Sequence, residues 1–294
     1  MTPERLSRRS RVWPMAASLG VAGVLTAAIN AQPPGDLADT LERVGDRVRQ
    51  YYSRAQSIMC IERVTVQHLR GDLMPDGFGR VLEYELRVDW DASDDVEGPP
   101  EARVIRELRK VNGRPPRPKD EEGCLDPKSG ALEPLAILLP RHRGEYTFAW
   151  KGVGRLKDRR TLMVDYRSSQ RPGAIEGTWK GDCVSIDAPG RTRGRIWVDE
   201  VTHDVLRLDE QLTGQFEYRV PRDHWGVVGP QTWTIERADS SIRYRPVVFH
   251  DPEEIVVLPE SIDVLAIFRG AQSYRISQTF SGYRRFITGG RVVR

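Results

Sequence analysis

The sequence lacks the common signatures of catalysis. It contains no Gly-x-Ser-x-Gly elbow, no His-Glu-x-x-His helix and no glycine-rich phosphate loop, and it has only 5 histidines in 294 residues. Those motifs supply the nucleophile, the zinc ligands and the phosphate cradle of the usual hydrolases and nucleotide-binding enzymes. The sequence therefore predicts a protein that is not an enzyme and that needs no metal or other cofactor.

Net charge is also lacking once the first segment is set aside. The whole sequence has 45 Lys and Arg against 42 Asp and Glu, and because residues 1–31 hold four arginines and one glutamate, residues 32–294 hold 41 of each sign. A neutral chain does not attract polyanions over a distance, so nucleic acid is not expected as a partner. One basic run is expected to be a solvated strand face and loop: Arg103, Arg106, Arg109, Lys110, Arg114, Arg117 and Lys119.

The first 31 residues have the layout of a secretory signal peptide. Four arginines precede an apolar run from Met15 to Ile29, and the segment ends in the small residue Ala31. We predict cleavage after Ala31 and a single mature domain over residues 32–294, located in the periplasm or secreted. The apolar run is too short for a comfortable membrane span. An uncleaved N-terminal anchor is the alternative, and membrane contact is otherwise expected to be peripheral at most.

Cysteine is scarce, with three residues in the chain: Cys60, Cys124 and Cys183. In an oxidising compartment this number predicts one disulfide and one leftover thiol, although spacing alone does not give the connectivity. Cys124 and Cys183 both lie beside Gly- or Asp-rich turn sequences, whereas Cys60 lies in an apolar run where a buried thiol is common. The pairing of Cys124 with Cys183 is therefore favoured.

One long helix is predicted, at the start of the mature chain. It runs from Asp36 to about Ala55, and Asp36 can cap its N-terminus. Its apolar positions recur at spacings of four and three and so share one face: Leu37, Leu41, Val44, Val48 and Tyr51. This single apolar stripe must be buried against another element.

A series of about a dozen β-rich runs follows the helix, with short turns and no interleaved helices. The runs cover residues 57–70, 79–90, 102–113, 145–153, 160–168, 174–181, 183–187, 230–250, 254–268 and 273–286, and two more lie in GRTRGRIWVDEVTHDVLRLD, residues 190–209. Strands in this order predict a mainly β (α+β) protein with an antiparallel sheet.

Alternation along these runs predicts one apolar face and one wet face. The wet positions include Lys180, Asp187, Arg195, Asp199 and Arg207. The apolar positions are the candidate ligand-binding residues: Phe148, Trp150, Leu162, Val164, Tyr166, Trp179, Val184, Ile186, Ile196, Val198, Leu206, Leu208, Trp233 and Ile235. A short segment, LEPLAILLP at 132–140, supplies the candidate lid residues Leu135, Ile137 and Leu138. Helix and lid over so long a sheet are expected to leave an apolar groove, unless the helix fills it.

Three stretches contain metal-ligand or acid and base residue types, and each favours a simpler interpretation. Asp199, Glu200, His203 and Asp204 lie within six positions but fall between two strand patterns, so they predict a hairpin turn. Asp89, Asp91, Ser93 and Asp95 have the odd spacing of a calcium loop but lack its glycine and its terminal glutamate, which favours a solvated acidic loop. His250 to Glu254 contain Pro252 and predict a turn.

At several of these residues the chain resembles a family. The initial amphipathic helix, the strand ending VNGRPP (111–116) and the hairpin carrying Trp197, Asp199, Thr202, Leu206 and Arg207 are similar to outer-membrane lipoprotein carrier and sorting proteins of the LolA/LolB type. The stretches IERADSSIRYRPVVFHDPEE, LPESID and FSGYRRFITGGRV are similar to secreted bacterial proteins such as those of acidobacteria. These motifs mark hairpins and carry no catalytic groups.

The resemblance implies a curved antiparallel half-barrel whose concave apolar face is covered by the helix and a short lid. Its expected function is to hold an apolar ligand, an acyl chain or a lipoprotein, in the groove. The alternative is an envelope protein-interaction or stress-sensor module on the same scaffold, with a protein partner instead of a lipid. An empty lined groove would favour the first function, and a groove packed shut would favour the second.

Overall fold

The structure, a computed structural model, describes residues 35–55, 57–90, 102–120, 133–180, 183–224, 231–250 and 253–285. In chain order the elements are α1 (Leu37–Arg54), β1 (Ile58–Leu69), β2 (Arg80–Trp90), β3 (Ala102–Val111), a 3₁₀ segment (Glu133–Leu138), α2 (Pro140–Arg143), β4 (Tyr146–Leu156), β5 (Arg159–Ser168), β6 (Glu176–Lys180), β7 (Cys183–Asp187), β8 (Thr192–Asp199), β9 (Val205–Leu212), β10 (Phe216–Arg219), β11 (Thr232–His250), β12 (Glu253–Arg269) and β13 (Ser273–Arg285). The predicted mainly β class is confirmed, and only β10 has no counterpart among the predicted strands.

Eleven of these strands form one antiparallel sheet. Its order is β3-β2-β1-β13-β12-β11-β9-β8-β5-β4, and β10 pairs with β11 beside this path. The sheet does not close on itself between its end strands β3 and β4, so it is a half-barrel, as the sequence predicts. The last strand, β13, lies between β1 and β12 and thereby joins the N-terminal hairpins to the rest of the sheet.

Helix α1 forms as the sequence predicts. The carboxylate of Asp36 accepts a hydrogen bond from the backbone N–H of Ala38 at 3.2 Å and caps the first turn. The predicted stripe is buried, from Leu41 through Val44 and Val48 to Tyr51. It packs against one face of the sheet, which we call the inner face; the opposite side is the outer face.

On the inner face, apolar side chains that are direct partners on neighbouring strands form rows across the sheet. One row runs through Val164, Ile196, Leu208, Ile242 and Ile262, each the direct partner of the next. All five are at least 95% buried. Because side chains alternate along a strand, the neighbouring positions point to the outer face, where charged residues such as Arg195 and Arg207 lie as predicted.

A smaller sheet of β6 and β7 lies apart from the large one. Together with β10 and the start of β11 it encloses a separate apolar cluster built on Phe216, Tyr218, Val220, Trp233 and Ile235. Within the described ranges, no helix has the length and apolar character required to cross a membrane.

Candidate functional site

The candidate site is the inner face beneath α1. Of the predicted groove residues, Leu162, Tyr166, Ile196, Val198 and Leu208 are buried in the cluster that α1 covers. Phe148 and Trp150 pack against this cluster and are half-buried, and Val164 and Leu206 are also buried. The structure therefore brings these nine positions into the same region, where they contact the protein's own side chains. Their contact with a ligand stays a prediction.

The remaining five groove residues lie elsewhere. Trp233 and Ile235 are core residues of the second cluster, and Trp179, Val184 and Ile186 pack against it from the small sheet. The indole of Trp179 donates to the hydroxyl of Tyr218 at 2.9 Å and stacks on His224 at 3.9 Å. The fourteen positions therefore lie in two apolar clusters and do not line one groove. Strand alternation indicates that a side chain faces an apolar side, but it does not indicate which cluster that side chain joins.

The predicted lid is the 3₁₀ segment, and we call residues 133–139 the lid segment. Its side chains from Leu135 to Leu139 are all buried, with Leu135, Ile137 and Leu138 exposed by 3%, 8% and 1%. They belong to the same cluster as α1 and the inner face. The lid segment therefore forms part of the core beneath α1.

Gly45 explains how closely the lid segment approaches α1. A methyl group added at this buried helix position would lie 2.9 Å from the carbonyl oxygen of Leu138 and 3.1 Å from the guanidinium of Arg143. Glycine in a helix interior costs about 1 kcal/mol relative to alanine. Here the absent side chain lets the lid backbone lie directly on the helix, a contact that helix periodicity alone does not reveal.

A buried ion pair lies on the inner face among apolar neighbours. Glu62 is completely buried and accepts hydrogen bonds from Arg106 at 2.9 and 3.1 Å, and Arg106 is only 13% exposed. Burial raises the pKa of Glu62, and the charge of Arg106 opposes this rise. The expected solvated face is therefore wrong for Arg106, because a buried carboxylate requires a partner. The signal was available: Glu62 continues the alternation of Ile58 and Cys60.

A second carboxylate, the half-buried Glu210, lies across the sheet. The hydroxyl of Tyr166 donates to Glu210 at 3.0 Å, and burial raises the pKa of Glu210 above its usual value. The ring of Tyr166 lies over Gly194, where an added methyl group would come within 2.6 Å of the ring. The inner face thus holds polar groups at two places, one near each end of the sheet.

Two further hydroxyls lie in the core near α1. Among the residues the structure describes, the hydroxyls of Tyr51 and Tyr244 have no hydrogen-bond partner, and both side chains are more than 90% buried. Burial raises the pKa of both phenols. A buried hydroxyl without a partner costs free energy, so each is a weak point of the packing.

The stretch from Asp199 to Asp204 is a turn between β8 and β9, as predicted. The Asp199 carboxylate accepts hydrogen bonds from the backbone N–H groups of Val201 and Thr202, both at 2.9 Å. Asp199 is 5% exposed, so its predicted place on the wet face is wrong. Burial opposes its ionisation, but the two backbone donors and Arg159 outweigh burial and hold the pKa of this carboxyl below its usual value.

The other polar candidates lie wholly or partly outside the described residues. His250 and Glu253 are direct partners at the ends of β11 and β12, and Asp251 and Pro252 between them are not described, so the turn stays a prediction. Asp91, Ser93 and Asp95 lie outside the described residues. Over the part of the chain that the structure covers, no group of three or more His, Cys, Asp or Glu side chains is arranged to hold a metal ion.

The predicted disulfide cannot be compared with the structure, because Cys124 and the side chain of Cys183 lie outside what it describes. Cys60 is a free thiol, 2% exposed on the inner face. Burial raises its pKa to about 12, with a further contribution from Glu62. A thiol with this pKa carries almost no thiolate near neutral pH and is a poor nucleophile.

No protein-family model matches the chain, and no curated protein matches it. Solved structures similar to it include a LolA superfamily protein from Nitrosomonas europaea (8% identity, 85% of this chain and 94% of that chain, TM-score 0.35), a putative outer membrane lipoprotein-sorting protein domain from Vibrio parahaemolyticus (8%, 87% and 96%, 0.41) and a DUF1329 family protein from Desulfovibrio piger (11%, 87% and 96%, 0.38). A LolA superfamily protein and a lipoprotein-sorting domain are thus among the similar structures, as the sequence resemblance predicts. At such identities no residue role passes from them to this chain.

Proposed function

We propose that residues 32–294 form an exported, non-enzymatic binding module that holds an apolar chain on the inner face, in the place that the lid segment fills when no ligand is bound. The observation that carries this proposal is the nature of the cover. Five consecutive buried side chains, Leu135 to Leu139, belong to the lid segment, whose 3₁₀ turns end at Leu138, two residues before Pro140. Short 3₁₀ turns have poorer hydrogen-bond geometry than an α-helix, so less backbone structure is lost when they move.

Burial of an acyl chain and burial of the lid side chains contribute comparable free energies. Burying a leucine or isoleucine side chain stabilises a fold by about 1.5–3 kcal/mol, and each buried methylene of a ligand contributes about 0.8 kcal/mol. The lid segment buries three leucines and one isoleucine. An acyl chain with roughly ten buried methylenes would therefore offset the loss of their contacts.

Gly45 provides the test, because a side chain there disturbs the closed lid and not the sheet. We expect Gly45→Ala to bind a fluorescent fatty-acid probe about fivefold or more tightly than the native protein, since the closed state that competes with the ligand is destabilised. Circular dichroism checks that the variant stays folded. Gly144→Ala is the matched control, because Gly144 has an ordinary helical conformation and open space around its Cα; it should bind like the native protein.

A protein-interaction module is the second candidate. The observation that favours it is the packing of the inner face: Leu162, Ile196 and Leu208 are buried in one cluster with the side chains of α1 and the lid segment. The two functions separate in the same experiment. If the native protein and Gly45→Ala are both folded and neither takes up the probe at micromolar concentration, the carrier proposal fails and the interaction module is the better account.

A further inference from the structure

The outer face carries a depression of about 510 Å³ over β4, β5, β8 and β9. Most of its lining lies on the side of the sheet away from α1, and two inner-face residues, Phe148 and Tyr166, line its edge. Four consecutive cross-strand partners form its floor: Ala149, Asp165, Arg195 and Asp209. The small side chain of Ala149 leaves room between longer neighbours.

The charges on this floor neutralise one another. Arg195 donates to both oxygens of Asp165 at 2.5 and 3.1 Å, and Arg207 donates to both oxygens of Asp209 at 2.8 Å. Asp209 also accepts a hydrogen bond from Ser241 at 2.7 Å. Two-bond pairs of this kind hold their side chains in place and neutralise the charge of each carboxylate.

The rim is different, because it holds two arginines without a carboxylate. Arg167 and Arg193 are direct partners on β5 and β8, and both are exposed. Over the described part of the chain, neither guanidinium forms an ion pair, and Arg193 donates only to the amide oxygen of Gln211, at 3.0 Å. Like charges directly opposite on neighbouring strands are destabilising. An anion between these two side chains would remove that repulsion.

The opposite wall is aromatic. The ring of Trp197 lines the pocket, and the guanidiniums of Arg207 and Arg195 lie 4.6 and 5.8 Å from the centre of its ring. Trp197 lies four positions along β8 from Arg193, about 13 Å away at the rise of a strand, so an anionic group at Arg167 and Arg193 leaves the remaining atoms of a ligand directed along the floor toward the indole. Such a pocket combines an orienting polar end with an apolar wall.

We propose that this outer-face pocket binds a phosphate monoester, with the phosphate between Arg167 and Arg193 and the organic part directed along the floor toward Trp197. Two uncompensated guanidiniums match the charge of about −1.5 to −2 that a phosphate monoester carries at neutral pH. A single carboxylate would neutralise only one of them. The planar guanidinium also offers paired N–H donors to phosphate oxygens, which a lysine does not.

The test is a titration of the purified protein followed by tryptophan fluorescence and by the chemical shifts of the arginine side chains in NMR. Glycerol 3-phosphate is the soluble probe, acetate is the carboxylate control, and vesicles of phosphatidylcholine with or without phosphatidic acid present the same group at a lipid surface. Saturable binding of glycerol 3-phosphate, with acetate at least tenfold weaker, supports the proposal. Binding to the phosphatidic acid vesicles alone supports it with a lipid as the source of the phosphate.

Variants identify the site. Arg167→Gln and Arg193→Gln should each lower the affinity about tenfold or more, because each removes hydrogen bonds to a charged group. Arg275→Gln is the matched control, since Arg275 is an exposed arginine on the outer face of β13, away from the pocket. No saturable phosphate binding, equal binding of acetate, or an equal loss in Arg275→Gln would each overturn the proposal. None of these results bears on the fatty-acid experiment at the inner face.

Discussion

The buried pair of Glu62 and Arg106 makes the strongest prediction about stability. Replacing Arg106 with methionine keeps most of the side-chain volume but leaves a completely buried carboxylate without its cation. Breaking a buried pair in this way costs about 3–5 kcal/mol, because the remaining charge has lost both water and its partner. We expect Arg106→Met to lose that much free energy of unfolding at pH 7.5, measured by urea denaturation with tryptophan fluorescence.

The loss should depend on pH with a definite sign. The pKa of Glu62 is raised in the folded protein, so its contribution to stability is fully present below the unfolded pKa of a glutamate and is lost as pH rises through the folded pKa. Arg106 opposes that rise, and its removal moves the folded pKa further up. The cost of Arg106→Met should therefore be smaller at pH 5 than at pH 7.5.

Two controls bound the result. Arg109→Met removes an arginine from the same strand, but Arg109 is 43% exposed and its pairs with Glu85 and Glu107 lie at the surface; it should cost at most about 1 kcal/mol. The double variant Glu62→Leu with Arg106→Met removes both charges and should recover most of the loss. A loss below about 1 kcal/mol for Arg106→Met, or one that is unchanged at pH 5, would refute the assignment of Glu62 to a site without water.

Three further predictions concern packing and thiols. Tyr244→Phe should leave the free energy of unfolding unchanged or raise it, because the lost hydroxyl has no partner among the described residues; a loss above about 1 kcal/mol in urea denaturation would contradict this. Gly194→Ala should destabilise the fold by about 1–3 kcal/mol in a thermal melt, since the new methyl group would lie 2.1 Å from a backbone oxygen of the adjacent strand, and a native melting temperature would refute it. The buried Cys60 should resist alkylation until the protein is denatured, and under denaturing, non-reducing conditions it should be the one cysteine labelled; label on Cys124 or Cys183 would exclude their disulfide.

Local structure follows from the sequence because its causes are local. The spacing of Leu41, Val44 and Val48 and the cap at Asp36 predict α1 to within one residue at each end. Strand alternation assigns nearly every predicted strand and its apolar side, and the turn after Asp199 follows from polar residues between two such patterns. Side-chain period and turn chemistry act over a few residues, so they can be read without knowing what lies across the sheet.

The site depended on contacts between distant parts of the chain. Alternation along each strand indicates which face of the sheet Glu62 and Arg106 share with their neighbours. Only the pairing of β1, β2 and β3 brings these two residues, 44 positions apart, into one ion pair. The lid segment is apolar in sequence, yet whether it covers a groove or packs into the core depends on how closely it approaches α1, and the absent side chain of Gly45 allows that approach. The register between β5 and β8 likewise places Arg167 opposite Arg193 at the rim of the outer-face pocket. Pairing and packing are properties of the whole chain, so the same local pattern is compatible with a groove or with a filled core until the tertiary structure determines which one forms.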